Sequence, residues 1–304
     1  MKKLLSLLLT ISIAAPVAAE GPIKRVKKLF KRGPKNPAVW TITEGLKAPE
    51  SAYHDAASGF LFLSQIGEGG GKGKDGDGWI SKLTVDGEMI KNKWVNGLNA
   101  PKGLRSHGGI LWVSDIDQIV AIDIAGGTIL QRVPISGAQF LNDLATSPDG
   151  SVFVSDMAAS AIYRHKNGRT TLFAVGEELE HPNGLLVHGG KLIIGGWGRG
   201  LQDDFTTLTP GRLLSIDIRT GRRKVITPKP TGNLDGVEAD GKGGFIVTDW
   251  IAGRVFRISK SGRAKVIMEF PKGAADCAYL VDRRWLILPE MLENRLTAFQ
   301  LKRP

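Results

Sequence analysis

Six short segments repeat one pattern along the chain: Pro49-Glu50-Ser51-Ala52, Pro101-Lys102-Gly103-Leu104, Leu141-Asn142-Asp143-Leu144, Pro182-Asn183-Gly184-Leu185, Leu234-Asp235-Gly236-Val237 and Ala275-Asp276-Cys277-Ala278. Each is followed by a short strand-like stretch, a Gly- or Asp-bearing turn, and a β-rich run at 60–64, 110–114, 151–155, 191–195, 244–248 or 284–288. A further strand often follows, at 119–124, 161–165, 212–218 and 254–259. Short strands with turn signals at a period of about 40–50 residues are the signature of propeller blades, roughly four strands each. The sequence therefore predicts an all-β, six-bladed β-propeller over residues 39–304. Residues 39–43 precede the first repeat where an outer strand belongs, whereas the last repeat supplies only three strands. Pairing that N-terminal strand with the last blade, so that Trp40 and Phe299 share it, closes the ring and removes a long free edge.

The remaining composition bounds the function. The 304 residues include one cysteine, Cys277, which excludes an internal disulfide and makes a zinc ribbon or iron–sulfur site implausible. The formal charge of +11 invites a nucleic-acid reading. However, nine of the 41 Lys and Arg fall within the first 38 residues, which hold only one acid, Glu20. The body beyond them is nearly balanced, so nucleic acid is not the expected partner. Residues 1–19 read as an export signal: Lys2 and Lys3, an apolar run from Leu4 to Ala15, and Val17-Ala18-Ala19 before Glu20. A periplasmic or secreted monomer follows. Residues 20–38 form a basic linker carrying Lys24, Arg25, Lys27, Lys28, Lys31, Arg32 and Lys35. If helical, its Ile23, Val26, Leu29 and Phe30 share a face, which gives weak contact with an anionic membrane surface as the alternative to a solvated linker.

In a propeller the first strand of each blade lines the central channel. The second residues of the six repeats, in ring order Glu50, Lys102, Asn142, Asn183, Asp235 and Asp276, therefore converge at one mouth. Crowded carboxylates raise one another's pKa unless a cation intervenes. Two carboxylates and two amide oxygens from separate blades suit a hard divalent cation such as Ca²⁺, which tolerates irregular oxygen coordination. Two bland alternatives stay open. The anchors cap inner strands through local hydrogen bonds, or Lys102 neutralises Glu50 or Asp276 without any metal. The longer repeats carry insertions at 67–78 and 198–210, in opposite blades, and both are placed to overhang the mouth as a lid or as simple surface loops. Asp115, Asp156 and Asp249 end second strands and are expected to bind loop amides. His181 and His54 lie near anchors in sequence, but no Ser-His-Asp set is present.

At these residues the chain resembles the regucalcin/gluconolactonase family of six-bladed propellers, and more distantly the paraoxonases and diisopropyl fluorophosphatase. The resemblance runs over roughly residues 45–300. It rests on Pro49–Ser51, Asn142–Gly150 with its Ser-Pro-Asp-Gly, Pro182–Leu185 and Leu234–Gly236, one motif per blade in order. It implies metal ligation by Glu50, Asn142, Asn183 and Asp235, and hydrolysis of a lactone or ester. Asp235 is then the catalytic general base, with Asp143 supporting the site from beside a ligand. Lys102, Phe140, His181 and Asp276 are the expected substrate contacts. Phe140 stands where sugar-lactone members can carry Arg, which implies an apolar substrate. Tyr53 for Trp, and Lys102 itself, depart from the family pattern. The rival reading is a non-catalytic propeller of the NHL-repeat type that holds a protein or ligand.

Overall fold

Along the second strand of blade one, Leu61 and Leu63 point one way and Phe62 the other, and all three are fully buried. The leucines pack with Leu296 and Ala298 of the last blade. Phe62 packs with Leu104, Val113 and Val120 of the next. Strand alternation thus serves two neighbours, not core and solvent, and that is why second strands read as unbroken apolar runs. Each interface repeats the device, and each large buried side chain contributes roughly 1.5–3 kcal/mol of transfer free energy.

The computed structural model describes residues 36–303; the expected export signal, and all but the end of the basic linker, lie outside the described residues. Six four-stranded antiparallel sheets make the six expected blades. Blade one runs through Pro49–Asp55, Phe60–Gln65, Gly78–Thr84 and Met89–Leu98, and the others follow the same inner-to-outer order. Blade six is completed from the chain start: Ala38–Ile42 pairs antiparallel with Arg295–Gln300, placing Trp40 opposite Ala298 and Ala38 opposite Phe299. The ring also closes at its axis. Ser51 and Asp276 form a parallel bridge, with Ala52 N–H donating to Asp276 O at 3.1 Å and Asp276 N–H to Glu50 O at 3.0 Å.

Close approach of the inner strands explains the small residue that follows most anchors. A Cβ built on Gly184 would lie 1.6 Å from the Asp235 carbonyl oxygen, and one on Gly236 would meet Cys277 N at 2.7 Å. Only glycine or a small residue fits there. Gly184→Ala is accordingly expected to destabilise the fold by about 2–3 kcal/mol or more, the cost of overpacking against backbone. Gly59→Ala, at a turn glycine with φ +75 and open space around it, should cost only about 1 kcal/mol. Urea midpoints of the two variants check the difference.

Candidate functional site

The inner strands share an irregularity that aims the anchors. Register shifts fall between Pro49 and Ala52, Pro101 and Leu104, Leu141 and Leu144, Pro182 and Leu185, and Leu234 and Val237. A bulge at the same place in five blades turns the anchor side chain toward the axis. The approach to it is fixed from the neighbouring strand. Asp115 accepts from Asn99 N and Ala100 N, Asp156 from Gln139 N and Phe140 N, and Asp249 from Asn233 N. Those three aspartates therefore bind loop amides, as their repetition in the sequence implies.

Glu50, Lys102, Asn142, Asn183 and Asp235 form the floor of one cavity of about 250 Å³ at the channel mouth. All five are buried. Glu50 Oε2, Asn183 Oδ1 and Asp235 Oδ1 have no hydrogen-bond partner in the protein. Buried oxygens without partners cost about 1–3 kcal/mol each, more when charged. Beneath them lies a second charged tier. Arg105 sits 3.2 Å from Glu238 and 3.7 Å from Asp276 Oδ2, the same oxygen that accepts from the Ser51 hydroxyl at 2.5 Å, and Asp276 Oδ1 is left without a partner. Asp143 accepts from Leu185 N at 2.6 Å and Leu144 N at 2.7 Å.

Five carboxylates thus share the channel with two cations, and full ionisation would leave a buried negative excess. The protonation equilibria reflect it. Burial, then Asp235 and Asp276, push Glu50 well above the usual carboxylate range, with Lys102 opposing. Burial, then Asp276 and Asp143, do the same to Asp235. Asp143 and Asp276 are raised by burial against the pull of Arg105. Burial lifts Glu238 to about 7 and lowers Lys102 to about 8, each against a partner of opposite charge. Among the described residues no three Asp, Glu, His or Cys side chains cluster as a metal site. A cation here would therefore draw on the carboxamide oxygens of Asn142 and Asn183, and the unpartnered oxygens fit such a donor set.

Above the polar floor stands an apolar collar. In every blade the residue just after the second strand is apolar: Ile66, Ile116, Met157, Trp197, Trp250 and Met291. All but Ile116 line the cavity. The two insertions roof it. The blade-four insertion is a hairpin, Gly198–Leu201 with Thr207–Pro210, and its Phe205 lies 5.1 Å from Phe140, centroid to centroid. Trp197 Nε1–H holds the Phe205 carbonyl at 2.8 Å. From blade one, Lys72 places its ammonium 4.5 Å from the centre of the Phe205 ring, a cation–π contact joining the insertions. Lys102 also acquires a role. Its ammonium donates to Gly71 O and Ala100 O, both at 3.0 Å, tying the blade-one loop to the floor.

Of the expected substrate contacts, Lys102 and Phe140 line the cavity, whereas Asp276 and His181 do not. Asp276 drops to the lower tier because blade six pairs one residue out of step there, with Ala274 and not Ala275 opposite Glu290, and its carboxylate bonds Ser51. The His181 ring turns beside its strand, Nδ1–H donating to Met157 O at 2.8 Å. His54 lies toward the opposite end of its inner strand, opposite Leu61. Asp143, expected as a catalytic group, is also off the cavity surface, bound to the two amides above. The sequence reading missed Arg105, Glu238 and the collar. A signal existed for the collar, since its members occupy one fixed repeat position after the second-strand end.

No protein-family model matches this sequence, and no curated protein does. Solved structures of like fold do. A gluconolactonase from Xanthomonas campestris is 17% identical, with TM-score 0.63 over 87% of this chain and 89% of that one. A catalytically inactive virginiamycin B lyase from Staphylococcus aureus, solved with quinupristin, is 14% identical, with TM-score 0.57 over 86% and 98%. A chain of the nidogen/laminin complex is 14% identical, with TM-score 0.55 over 75% and 91%. These likenesses establish the fold.

The raised carboxylates give a signed pH dependence for the cation-free protein. Between about pH 4.5 and 7 the folded state holds a proton on Glu238 that the unfolded chain has released, so stability falls as pH rises through that window. For Glu238 alone the loss is on the order of 2–3 kcal/mol. Melting temperature in chelator should therefore drop from pH 5 to pH 7.5, and less so in Glu238→Gln.

Proposed function

We propose that this protein is an exported, divalent-cation-dependent hydrolase of a lactone or ester bearing a large apolar group, with Ca²⁺ as the natural ion. The observation that carries the proposal is the set of unpartnered buried oxygens on Glu50, Asn183 and Asp235 around one cavity. Glu50, Asn142, Asn183 and Asp235 would hold the ion. When bound, such a cation supplies Lewis-acid polarisation of a carbonyl and charge to offset a developing oxyanion. The chain does the rest. Asp235, with one oxygen free, accepts a proton from the attacking water as general base. Asp143 and Arg105 fix the inner strands beneath it. The collar of Met157, Trp197, Trp250 and Met291 seats an apolar acyl or aryl group, and Phe140 in the same wall disfavours a polyhydroxylated ring. The roof from the two insertions limits water.

The gluconolactonase and the lyase of like fold are both enzymes, which supports a catalytic reading without fixing the reaction. A second reading has one observation in its favour: Lys102 brings a positive charge to the floor, so part of the carboxylate excess is met without metal. The propeller then serves as a binding scaffold, as a protein-complex chain of this fold illustrates.

Calcium titrated into chelator-treated protein should bind at one site and raise the melting temperature, by about 2.7 kcal/mol of added stability at a hundredfold excess over Kd. Glu50→Gln and Asp235→Asn should lose that binding, and Asp235→Asn should lower hydrolysis of an aryl-ester and lactone panel about 10²–10⁴-fold. Undiminished hydrolysis in chelator, or in Asp235→Asn, would sink the mechanism. Absence of any divalent-cation binding would leave the scaffold reading.

A further inference from the structure

The hairpin that roofs the cavity from blade four is not part of that blade's sheet. Gly198–Leu201 and Thr207–Pro210 pair only with each other, apart from the four strands of the blade. A two-stranded hairpin alone is marginal in water. Its apolar contacts come from Leu201 and Phe205, which pack against the cluster of Phe140, Met157 and Trp197, while Leu208 stands 79% exposed. Something besides packing must fix its height above the cavity.

Glu180 does this from the loop that leads out of blade three into the inner strand Pro182–His188. Its carboxylate is buried between two guanidiniums, one from each side of the hairpin. Oε1 accepts from Arg199 Nε at 3.1 Å, on the first stem, and from Arg212 Nε at 2.8 Å, just beyond the second. Oε2 takes the Arg212 backbone N–H at 2.9 Å. The backbone adds two more ties: Gly198 N–H donates to Glu180 O and Trp197 N–H to His181 O, both at 2.9 Å. Asn233 contributes one neutral bond, from Nδ2 to Thr207 Oγ1 at 2.9 Å. Glu180 and His181, neither of them glycine, both hold left-handed backbone, with φ of +57 and +51. Strain of that kind persists where the surroundings over-determine it. A buried carboxylate also cannot shed its guanidiniums without being left as an unpaired charge.

We propose that Glu180 is the positioning residue of the roof: clamped by Arg199 and Arg212, it holds the hairpin so that Phe205 covers the collar, and thereby sets how large an apolar group the mouth retains. Glu180 lies outside the cavity lining and touches no substrate itself, whereas Phe205 lines the cavity and faces Phe140. The stems are four residues each, so a shift at their root carries to Phe205 near the tip. The inference rests on the reading of this cavity as the substrate site.

The test uses a long-chain alkyl γ-lactone, first as a ligand in chelator, followed by quenching of tryptophan fluorescence, and then as a substrate with calcium. Glu180→Gln should weaken binding about tenfold, and in turnover raise KM to the same extent with kcat held within about twofold. Calcium affinity should not change. Phe205→Ala should weaken binding similarly, and the double variant should bind no worse than Phe205→Ala alone, because both changes remove one contact. Trypsin should cut after Arg199 at least about tenfold faster in Glu180→Gln, as the freed hairpin opens locally. Unchanged cleavage, losses that add in the double variant, or a fall in kcat and calcium affinity alongside the rise in KM would overturn the positioning role. No binding of the lactone by the unaltered protein would overturn it too. Absence of turnover, with the binding and cleavage pattern intact, would support the clamp and sink the hydrolase reading alone.

Discussion

Crowding at the axis governs the rest of this molecule. Six inner strands meet so closely that the Asp235 carbonyl leaves no room for a β-carbon at Gly184, and Ser51 bridges Asp276 directly. Strands packed that tightly cannot all direct large side chains inward, so blades one to five bulge at one shared place and each sends one polar anchor toward the mouth. The inward-facing groups are buried, with little access to bulk water. Whatever charge they carry must be met within the channel, by Arg105 and Lys102, by protons, or by an ion. The chemistry proposed for the floor follows from geometry that the blades require in any case.

That geometry was largely legible from the sequence, because a propeller repeats. The six anchors, the blade count and closure by Ala38–Ile42 all follow from period and strand patterning. What stayed hidden had a physical reason. Arg105 and Glu238 stand three residues after their anchors, on the channel side only because of the bulge, and an unbroken alternation would misplace them. Asp276 carries the same repeat position as Glu50, yet blade six pairs differently there, with Ala274 opposite Glu290. No residue type announces that slip. The collar is a different case: its positions recur as regularly as the anchors, but apolar residues at strand ends read as ordinary core.

Floor, collar and roof divide the work of recognition. The floor is polar and partly unsatisfied, which favours charge or a polarised carbonyl. The collar is apolar and broad, with two indoles and two thioethers, and methionine adapts to irregular shapes. The roof is built from insertions in opposite blades that meet through Lys72 and Phe205. A ligand that satisfies all three has a reactive polar group at one end and apolar bulk at the other. That combination describes an ester or lactone with a hydrophobic substituent better than it describes a sugar.

The two ends of the propeller are chemically independent, and the sheet makes them so. Each blade crosses from base to mouth in strands of about six residues, roughly 20 Å. Surface charges separated by more than about 8–10 Å are largely screened at physiological salt. The cations on the base of blade five, Lys242, Lys260 and Arg263, therefore do little to neutralise the carboxylates of the floor, which are left to Arg105, Lys102 and bound protons.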